Sequence, residues 1–256
     1  MSKVKAIVIR SPGANCDGEA VFALEKAGAE VELVHINRLS RGEIKLADFS
    51  ILLIPGGFTY GDDISGGKVL ANELKLKLGD DIDRFVADGK LIIGICNGFQ
   101  IMIKAGILPK LKPGEQPKLT LTYNDSGKFE CRWVHLSVNQ KSPCIYTKGI
   151  ESLYVPVAHG EGKLIGDPKA ISANNIVLYY ADEHGNRNAG YPHNPNGSIK
   201  NIAGICDNTG RIFALMPHPE RHILGTQHPQ WTRLGAKKYG EGFPIFQNAV
   251  KFAKGI

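Results

Sequence analysis

Two short segments hold the residues best suited to chemistry. Gly94-Ile95-Cys96-Asn97-Gly98 has the form G-x-C-x-G. An apolar run, Leu91 to Ile95, leads into it, and a helix-like run, Phe99 to Ala105, follows. A nucleophile elbow requires that context, a sharp strand-to-helix turn that presents a reactive side chain at the edge of a sheet. The turn is tight, so small residues flank the nucleophile. The helix that opens there offers unpaired N–H groups and the positive end of its dipole, which favour a thiolate and bind developing negative charge. The Asn97 amide, one residue past the sulfur, is a candidate oxyanion donor. The bland alternative is a buried structural cysteine beside helix-start glycines. Strand, elbow and helix together favour the nucleophile. Cys131, Cys144 and Cys206 lack this setting and read as core thiols. Cys16 falls on a loop at the predicted active edge, where it could line the site, but nothing nearby would activate it.

A thiol nucleophile needs a base, and the base needs an orienting partner. Met216-Pro217-His218-Pro219-Glu220-Arg221 supplies both after the apolar run Ile212 to Leu215. Two prolines fix the backbone around His218. Glu220 lies two residues on, so in an extended segment both side chains point to one side. A carboxylate there can accept the imidazole N–H and set the tautomer. Read alone, the segment is a loop histidine beside a surface Glu–Arg pair; read with the elbow, it completes a triad of Cys96, His218 and Glu220. His218 and His222 stand four apart, but Pro219 disturbs the helical register and no third ligand stands out, so a metal reading is set aside. His159, in Ala158-His159-Gly160-Glu161-Gly162, is a rival base that spacing alone does not exclude. Pro55-Gly56-Gly57-Phe58 follows another apolar run, and adjacent glycines let backbone N–H groups approach a ligand closely. This turn is a candidate for the second oxyanion donor.

The elements that must position these residues follow a β-α-β-α rhythm. Strands are predicted over Val4–Ile9, Val31–Ile36, Ile51–Ile54 and Leu91–Ile95, and helices over Asp17–Ala27, Gly67–Leu78, Asp80–Asp88 and Phe99–Ala105. The third and fourth strands show no polar alternation, as expected for strands buried on both faces. The pattern argues for a parallel sheet covered by helices, with ligands beyond the carboxyl ends of its strands. The middle third changes character. Leu119–Tyr123, Phe129–Val138 and Leu153–Val157 look like strands of added hairpins, and Asp182 to Ser198 like a long loop. Ile202–Cys206 and Ile212–Met216 form a hairpin around Asn208-Thr209-Gly210, and Phe246–Ala253 a terminal helix. No repeat or linker interrupts the chain, so residues 1–256 are expected to form a single domain.

Composition narrows the class. The 256 residues are 43% hydrophobic, which argues against disorder and allows a sizeable core without disulfides. No apolar run reaches the ~18 residues of a membrane span. No signal peptide is evident, and five cysteines without metal-knuckle spacing suggest a reduced cytoplasmic protein. The net charge of +6 lies wholly in residues 111–256, with a concentration after Arg221. Without aromatic–basic interleaving it does not point to nucleic acid.

The elbow Gly94 to Gln100 and the segment Met216 to Glu220 resemble the class I (triad) glutamine amidotransferases. Within them, Ser11-Pro12-Gly13-Ala14-Asn15-Cys16-Asp17, Pro55 to Asp62, Ala158 to Gly162 and Asn194-Pro195-Asn196-Gly197-Ser198 resemble the glutaminase part of phosphoribosylformylglycinamidine synthase. The similarity runs over nearly the whole chain. It implies a flavodoxin-like α/β fold, a parallel sheet with helices on both faces plus added β-hairpins. It implies hydrolysis of L-glutamine to glutamate and ammonia through a cysteine thioester. The ammonia would pass to a synthetase subunit that makes formylglycinamidine ribonucleotide with ATP and Mg; a small accessory subunit stays open as a further partner. This chain itself would carry no cofactor and no metal, and no nucleic acid or membrane would be involved. By position, Cys96 is the nucleophile, His218 the base and Glu220 its orienter. Gly57 and Asn97 supply oxyanion amides, Gln100 helps hold the substrate, and Asn124, Phe129 and Arg132 line the glutamine pocket. His159 then lies near the site or interface and is not the base. Two features depart from the family: Asp62-Asp63-Ile64-Ser65-Gly66-Gly67 lacks the Arg that some bacterial members carry, and the tail after Arg221 is longer than in the compact stand-alone versions. The alternatives are an amidotransferase serving another synthetase, or a cysteine sensor or chaperone on the same fold. The basic tail, with Lys237 and Lys238, is a candidate docking face for an acidic synthetase.

Overall fold

A computed structural model describes residues 3–112, 114–235 and 237–255. The first half alternates strands and helices as its periodicity requires: β1 (Lys5–Arg10), α1 (Asp17–Lys26), β2 (Glu30–His35), α2 (Ile36–Ser40), β3 (Ile51–Ile54), α3 (Lys68–Lys77), α4 (Gly79–Ala87), β4 (Leu91–Ile95) and α5 (Asn97–Ala105). The second half is strand-rich: β5 (Leu119–Thr122), β6 (Glu130–Val138), β7 (Ser152–His159), β8 (Lys163–Gly166), β9 (Ile176–Ala181), β10 (Ile202–Cys206) and β11 (Ile212–Leu215), then α6 (Trp231–Leu234) and α7 (Phe243–Ala253).

Nine strands form one sheet in the order β2-β1-β3-β4-β11-β10-β9-β6-β7. From β2 to β11 all neighbours are parallel, and from β11 to β7 all are antiparallel. Every residue of β3, β4 and β11 is buried. Side chains alternate between the two faces of a strand, so both faces of this central region are covered. Two helix pairs, α1 with α7 and α3 with α5, pack together over the parallel half. The β6–β7 hairpin extends the main sheet, whereas β5 and β8 pair in a small sheet of their own.

The short elements α2, β8 and α6 go beyond the sequence expectations, and four further details differ from them. Helix α5 begins at Asn97, two residues early, because Cys96 itself occupies the N-cap position. Helix α7 begins at Phe243, with Pro244 in its first turn, where a missing N–H does no harm. Strand β9 was not anticipated, although Ile176-Val177-Leu178-Tyr179-Tyr180 has the composition of one; it joins the β6–β7 hairpin to β10. Cys131 is exposed on β6, not a core thiol, because the strand turns the preceding Glu130 inward. Cys144 and Cys206 are buried as expected. No helix among the described residues is long and apolar enough to cross a membrane.

Candidate active site

Strands β4 and β11 are adjacent and parallel, with Leu215 opposite Ile95. Their chains therefore leave the sheet side by side at its carboxyl edge. The Cys96 amide donates to the Leu215 carbonyl at 2.8 Å, which fixes the elbow against the start of the Met216–His218 segment. On the other flank of β4, strand β3 ends at Ile54 and delivers Pro55-Gly56-Gly57 to the same edge.

Cys96 has φ 53° and ψ −107°, a conformation that L-residues avoid unless their surroundings impose it. The flanking glycines make it possible. A Cβ on Gly98 would stand 2.1 Å from the Ile54 carbonyl oxygen, and one on Gly94 2.4 Å from Met102 Sδ. The thiol is 4% exposed and faces the Ala158 carbonyl at 3.7 Å.

The His218 amide donates to the Pro156 carbonyl at 2.8 Å, so β7 anchors the base. His218 Nδ1 lies 2.6 Å from Glu220 Oε1, and both side chains are 1% exposed. The pairing holds, but the backbone is not the extended segment expected: a 3-10 turn, Pro219–Arg221, brings Glu220 back to the ring. Burial opposes charging His218. The Glu220 carboxylate and the Cys96 and Cys16 sulfurs outweigh it and hold the imidazole pKa well above its ordinary value. His218 Nε2 is buried and has no hydrogen-bond partner among the described residues.

Gly57 has φ 140°, and a Cβ there would meet Asn15 N at 2.7 Å and Gly13 O at 2.8 Å. The neighbouring Phe58 amide donates to Gly13 and the Gly56 carbonyl accepts from Asn15, which leaves the Gly57 N–H turned away from that pairing. The Asn97 side chain is fully engaged. Its Oδ1 accepts from Thr59 N and Oγ1 at 3.2 and 2.6 Å, and its Nδ2 donates to Asp62 Oδ1 and Gln100 Oε1 at 3.1 and 2.6 Å. Gln100 Nε2 donates to the Glu161 carbonyl at 2.6 Å, and Glu161 Oε2 accepts from the Gly66 amide at 3.1 Å. This chain of bonds ties the 59–67 loop, the elbow and the 158–162 loop into one unit. Burial, with Glu161 nearby, raises the Asp62 carboxyl above its usual range, and burial lowers the Lys104 ammonium beside it.

Residues 3–253 match the model of the CobB/CobQ-like glutamine amidotransferase domain. The chain belongs to this family. It is 57% identical over 257 residues to phosphoribosylformylglycinamidine synthase subunit PurQ of Dehalococcoides mccartyi, covering 100% of each chain. It is 45% identical over 265 residues to the subunit of the same name from Methanococcus maripaludis, covering 97% of each. The solved structure of PurLQS from Thermotoga maritima contains a chain of the same fold, with a TM-score of 0.73 and 34% identity over 98% of this chain and 99% of that one.

The amidotransferase places its other sequence-singled residues unevenly. Asn124 is 3% exposed, and its side chain is occupied by protein: Nδ2 donates to the Lys128 and His159 carbonyls at 2.9 and 2.8 Å, and Oδ1 accepts from the Gly162 amide at 3.0 Å. Phe129 is half exposed, and its ring pairs with that of Phe58, next to Gly57, at 6.1 Å. Arg132 contacts Glu130, donates to the Tyr191 hydroxyl at 2.8 Å and stacks on its ring. His159 Nδ1 meets Asn124 Oδ1 at 3.1 Å, and Glu161 is turned toward Gly66 instead. Burial, helped by His218, pushes the His159 pKa down to about 3, which leaves it neutral. His222 Nδ1 faces the Tyr154 carbonyl at 2.8 Å, in an aromatic cluster with Trp133 and His228.

The sequence reading placed Cys16 at this edge but missed its contact with Arg221. Cys16, expected to have nothing nearby that could activate it, accepts a hydrogen bond from Arg221 Nη2 at 2.9 Å and lies against His218. Arg221, which looked like a member of a surface pair, is half-buried. The two are 205 residues apart, so no local pattern announced their meeting.

Proposed function

We propose that this amidotransferase is the glutaminase subunit of phosphoribosylformylglycinamidine synthase and works by a cysteine thioester. The observation that carries the mechanism is the elbow thiol of Cys96 beside a buried His218 whose Nδ1 is held by Glu220 at 2.6 Å. The raised pKa of His218 suits it to take and keep the Cys96 proton. The thiolate then attacks the side-chain carbonyl of L-glutamine. The amides of Gly57 and Asn97 receive the oxyanion, and His218 protonates the departing ammonia. Water, activated by the now neutral His218, hydrolyses the glutamyl thioester to glutamate. Gln100 and Asn124 act here by fixing the loops around the substrate, since their own polar groups are satisfied by protein. Phe129 and Arg132 would meet glutamine from the half-exposed rim.

The chain needs no cofactor for this cycle. ATP and Mg belong to the step of the synthetase partner, which receives the ammonia. A one-domain organisation fits a main sheet of nine strands drawn from both halves of the chain, and a cytoplasmic setting fits five unpaired thiols. A paired His218 and Glu220 favours catalysis over a cysteine sensor, which would need neither. The test is synthesis of formylglycinamidine ribonucleotide by the synthetase subunit with glutamine as nitrogen source, with and without this chain. Glutamine dependence only when the chain is present is expected; its absence refutes the assignment.

A further inference from the structure

The two oxyanion amides of the cycle above come from different segments. Gly57 follows β3, and Asn97 follows β4. Beyond the strand ends, side chains tie these segments together. The Asn97 side chain is wholly buried, and its Oδ1 accepts from Thr59 N and Oγ1, two residues past Gly57. With Oδ1 so committed, Nδ2 must face the other way, where it donates to Asp62 Oδ1 at 3.1 Å. The same Asp62 oxygen accepts from the Gly67 amide at 3.3 Å. One carboxylate oxygen thus holds both ends of the 62–67 loop against the elbow. The loop is strained: Tyr60, Asp62 and Ile64 have φ of 53°, 55° and 72°. Such a backbone persists only where its surroundings over-determine it. On one side the Gly13 and Pro12 carbonyls accept from the Phe58 and Tyr60 amides at 2.9 and 2.7 Å. On the other, Asp62 closes the loop onto Asn97.

We propose that Asp62 is a positioning residue for the oxyanion hole. Through the Asn97 side chain it sets the separation of the Gly57 and Asn97 N–H donors. It therefore acts on attack at the glutamine carbonyl and not on glutamine binding. Catalytic donors must be held to within about 0.5 Å, a tolerance that a strained loop meets only when clamped. The clamp works by hydrogen-bond acceptance and not by charge: Lys104 and Glu161 act on the Asp62 carboxylate in opposite directions, so an uncharged acceptor can replace it. The inference deepens the proposed glutaminase cycle and rests on it.

The test compares Asp62→Gly and Asp62→Asn in the complex with the synthetase subunit. Glycine accepts the left-handed backbone and removes only the side chain, whereas asparagine keeps both the backbone preference and an acceptor oxygen. Two rates are read: steady-state glutamine hydrolysis, and alkylation of Cys96 by iodoacetamide. In the alkylation the sulfur displaces iodide from carbon and no oxyanion forms. Asp62→Gly should lower kcat on the order of 10²-fold, the cost of a misplaced oxyanion donor. Its KM and its alkylation rate should stay within about threefold of the parent, since this donor acts only in the transition state. Asp62→Asn should keep kcat within about fivefold, the value of one neutral hydrogen bond. Parent-like kcat in Asp62→Gly, an equal fall in hydrolysis and alkylation, or equal damage by Asp62→Asn would each overturn the proposal. Should Asp62→Gly fail to fold, Thr59→Val decides: it keeps the shape, removes the Oγ1 bond to Asn97, and should lower kcat roughly fivefold at constant KM. An unchanged kcat there overturns the clamp. A parent complex that hydrolyses no glutamine refutes the proposed function and this inference with it; an active parent beside an unaffected Asp62→Gly refutes this inference alone.

Discussion

Gly56→Ala separates positioning of the catalytic groups from folding. The Gly56 backbone is not in the left-handed region, so alanine fits its conformation. Space is what fails. The new methyl would stand 2.8 Å from His218 Cε1, and Cys16 Sγ and Cys96 Cβ at 3.2 and 3.3 Å close the other directions. An ordinary carbon–carbon contact of ~3.5–4.0 Å requires the imidazole to retreat by about 1 Å. A misplacement of that size costs on the order of 10²-fold in rate. Overpacking a well-filled site also destabilises, by ~1–3 kcal/mol. The assay is steady-state glutamine hydrolysis in the complex with the synthetase subunit, paired with ammonia-dependent synthesis and thermal unfolding of the variant. We expect kcat to fall about 100-fold while ammonia-dependent synthesis persists and the chain remains folded. Glutaminase activity within threefold of the parent would refute the placement of His218 against Gly56.

Other perturbations address the remaining parts of the site. Glu220→Gln keeps the shape but loses the carboxylate on Nδ1, and kcat should fall by about 10²–10⁴-fold; a change smaller than fivefold in steady-state hydrolysis would remove Glu220 from the triad. His159, with a pKa of about 3 when folded, stays neutral while the unfolded chain protonates near 6.5. The unfolded state therefore binds the extra proton between these values. The stability His159 contributes is complete above about pH 6.5 and is lost as pH falls, at up to ~1.4 kcal/mol per unit. Denaturant unfolding from pH 4 to 7 should show a shallower slope in His159→Gln, whereas an NMR titration midpoint of His159 near 6.5 would contradict its burial. Lys237 and Lys238 carry exposed charge on the tail, with Lys237 near Glu241 at 3.7 Å. Reversing both to Glu should weaken the complex and flatten its salt dependence in a binding titration; unchanged affinity would make the tail a solvated rim.

Much of this site was legible because its signals are local. The all-apolar runs Ile51–Ile54 and Leu91–Ile95 reveal buried parallel strands, and the small residues around Cys96 reveal the elbow. The spacing of His218 and Glu220 pointed to their pairing although the reason was incomplete: Pro219 turns the chain into a single 3-10 turn instead of extending it. Contacts between distant segments were not legible. Cys16 meets Arg221 and His218 only because β1, β3 and β11 end at one edge of the sheet. Asn124 looked like a pocket residue, but the fold surrounds it with the 158–162 loop and occupies its amide. Cys131 lies outside the core because strand alternation forces a choice between it and Glu130, and Arg132 gives the buried Glu130 a partner.

The central claim is that Cys96 releases ammonia from glutamine for a partner enzyme. Cys96→Ala, assayed with the synthetase subunit, tests it most directly. Glutamine-dependent synthesis and glutamine hydrolysis should both vanish, while free ammonia should support synthesis at the parent rate. Glutamine hydrolysis that survives the loss of this sulfur would contradict the account.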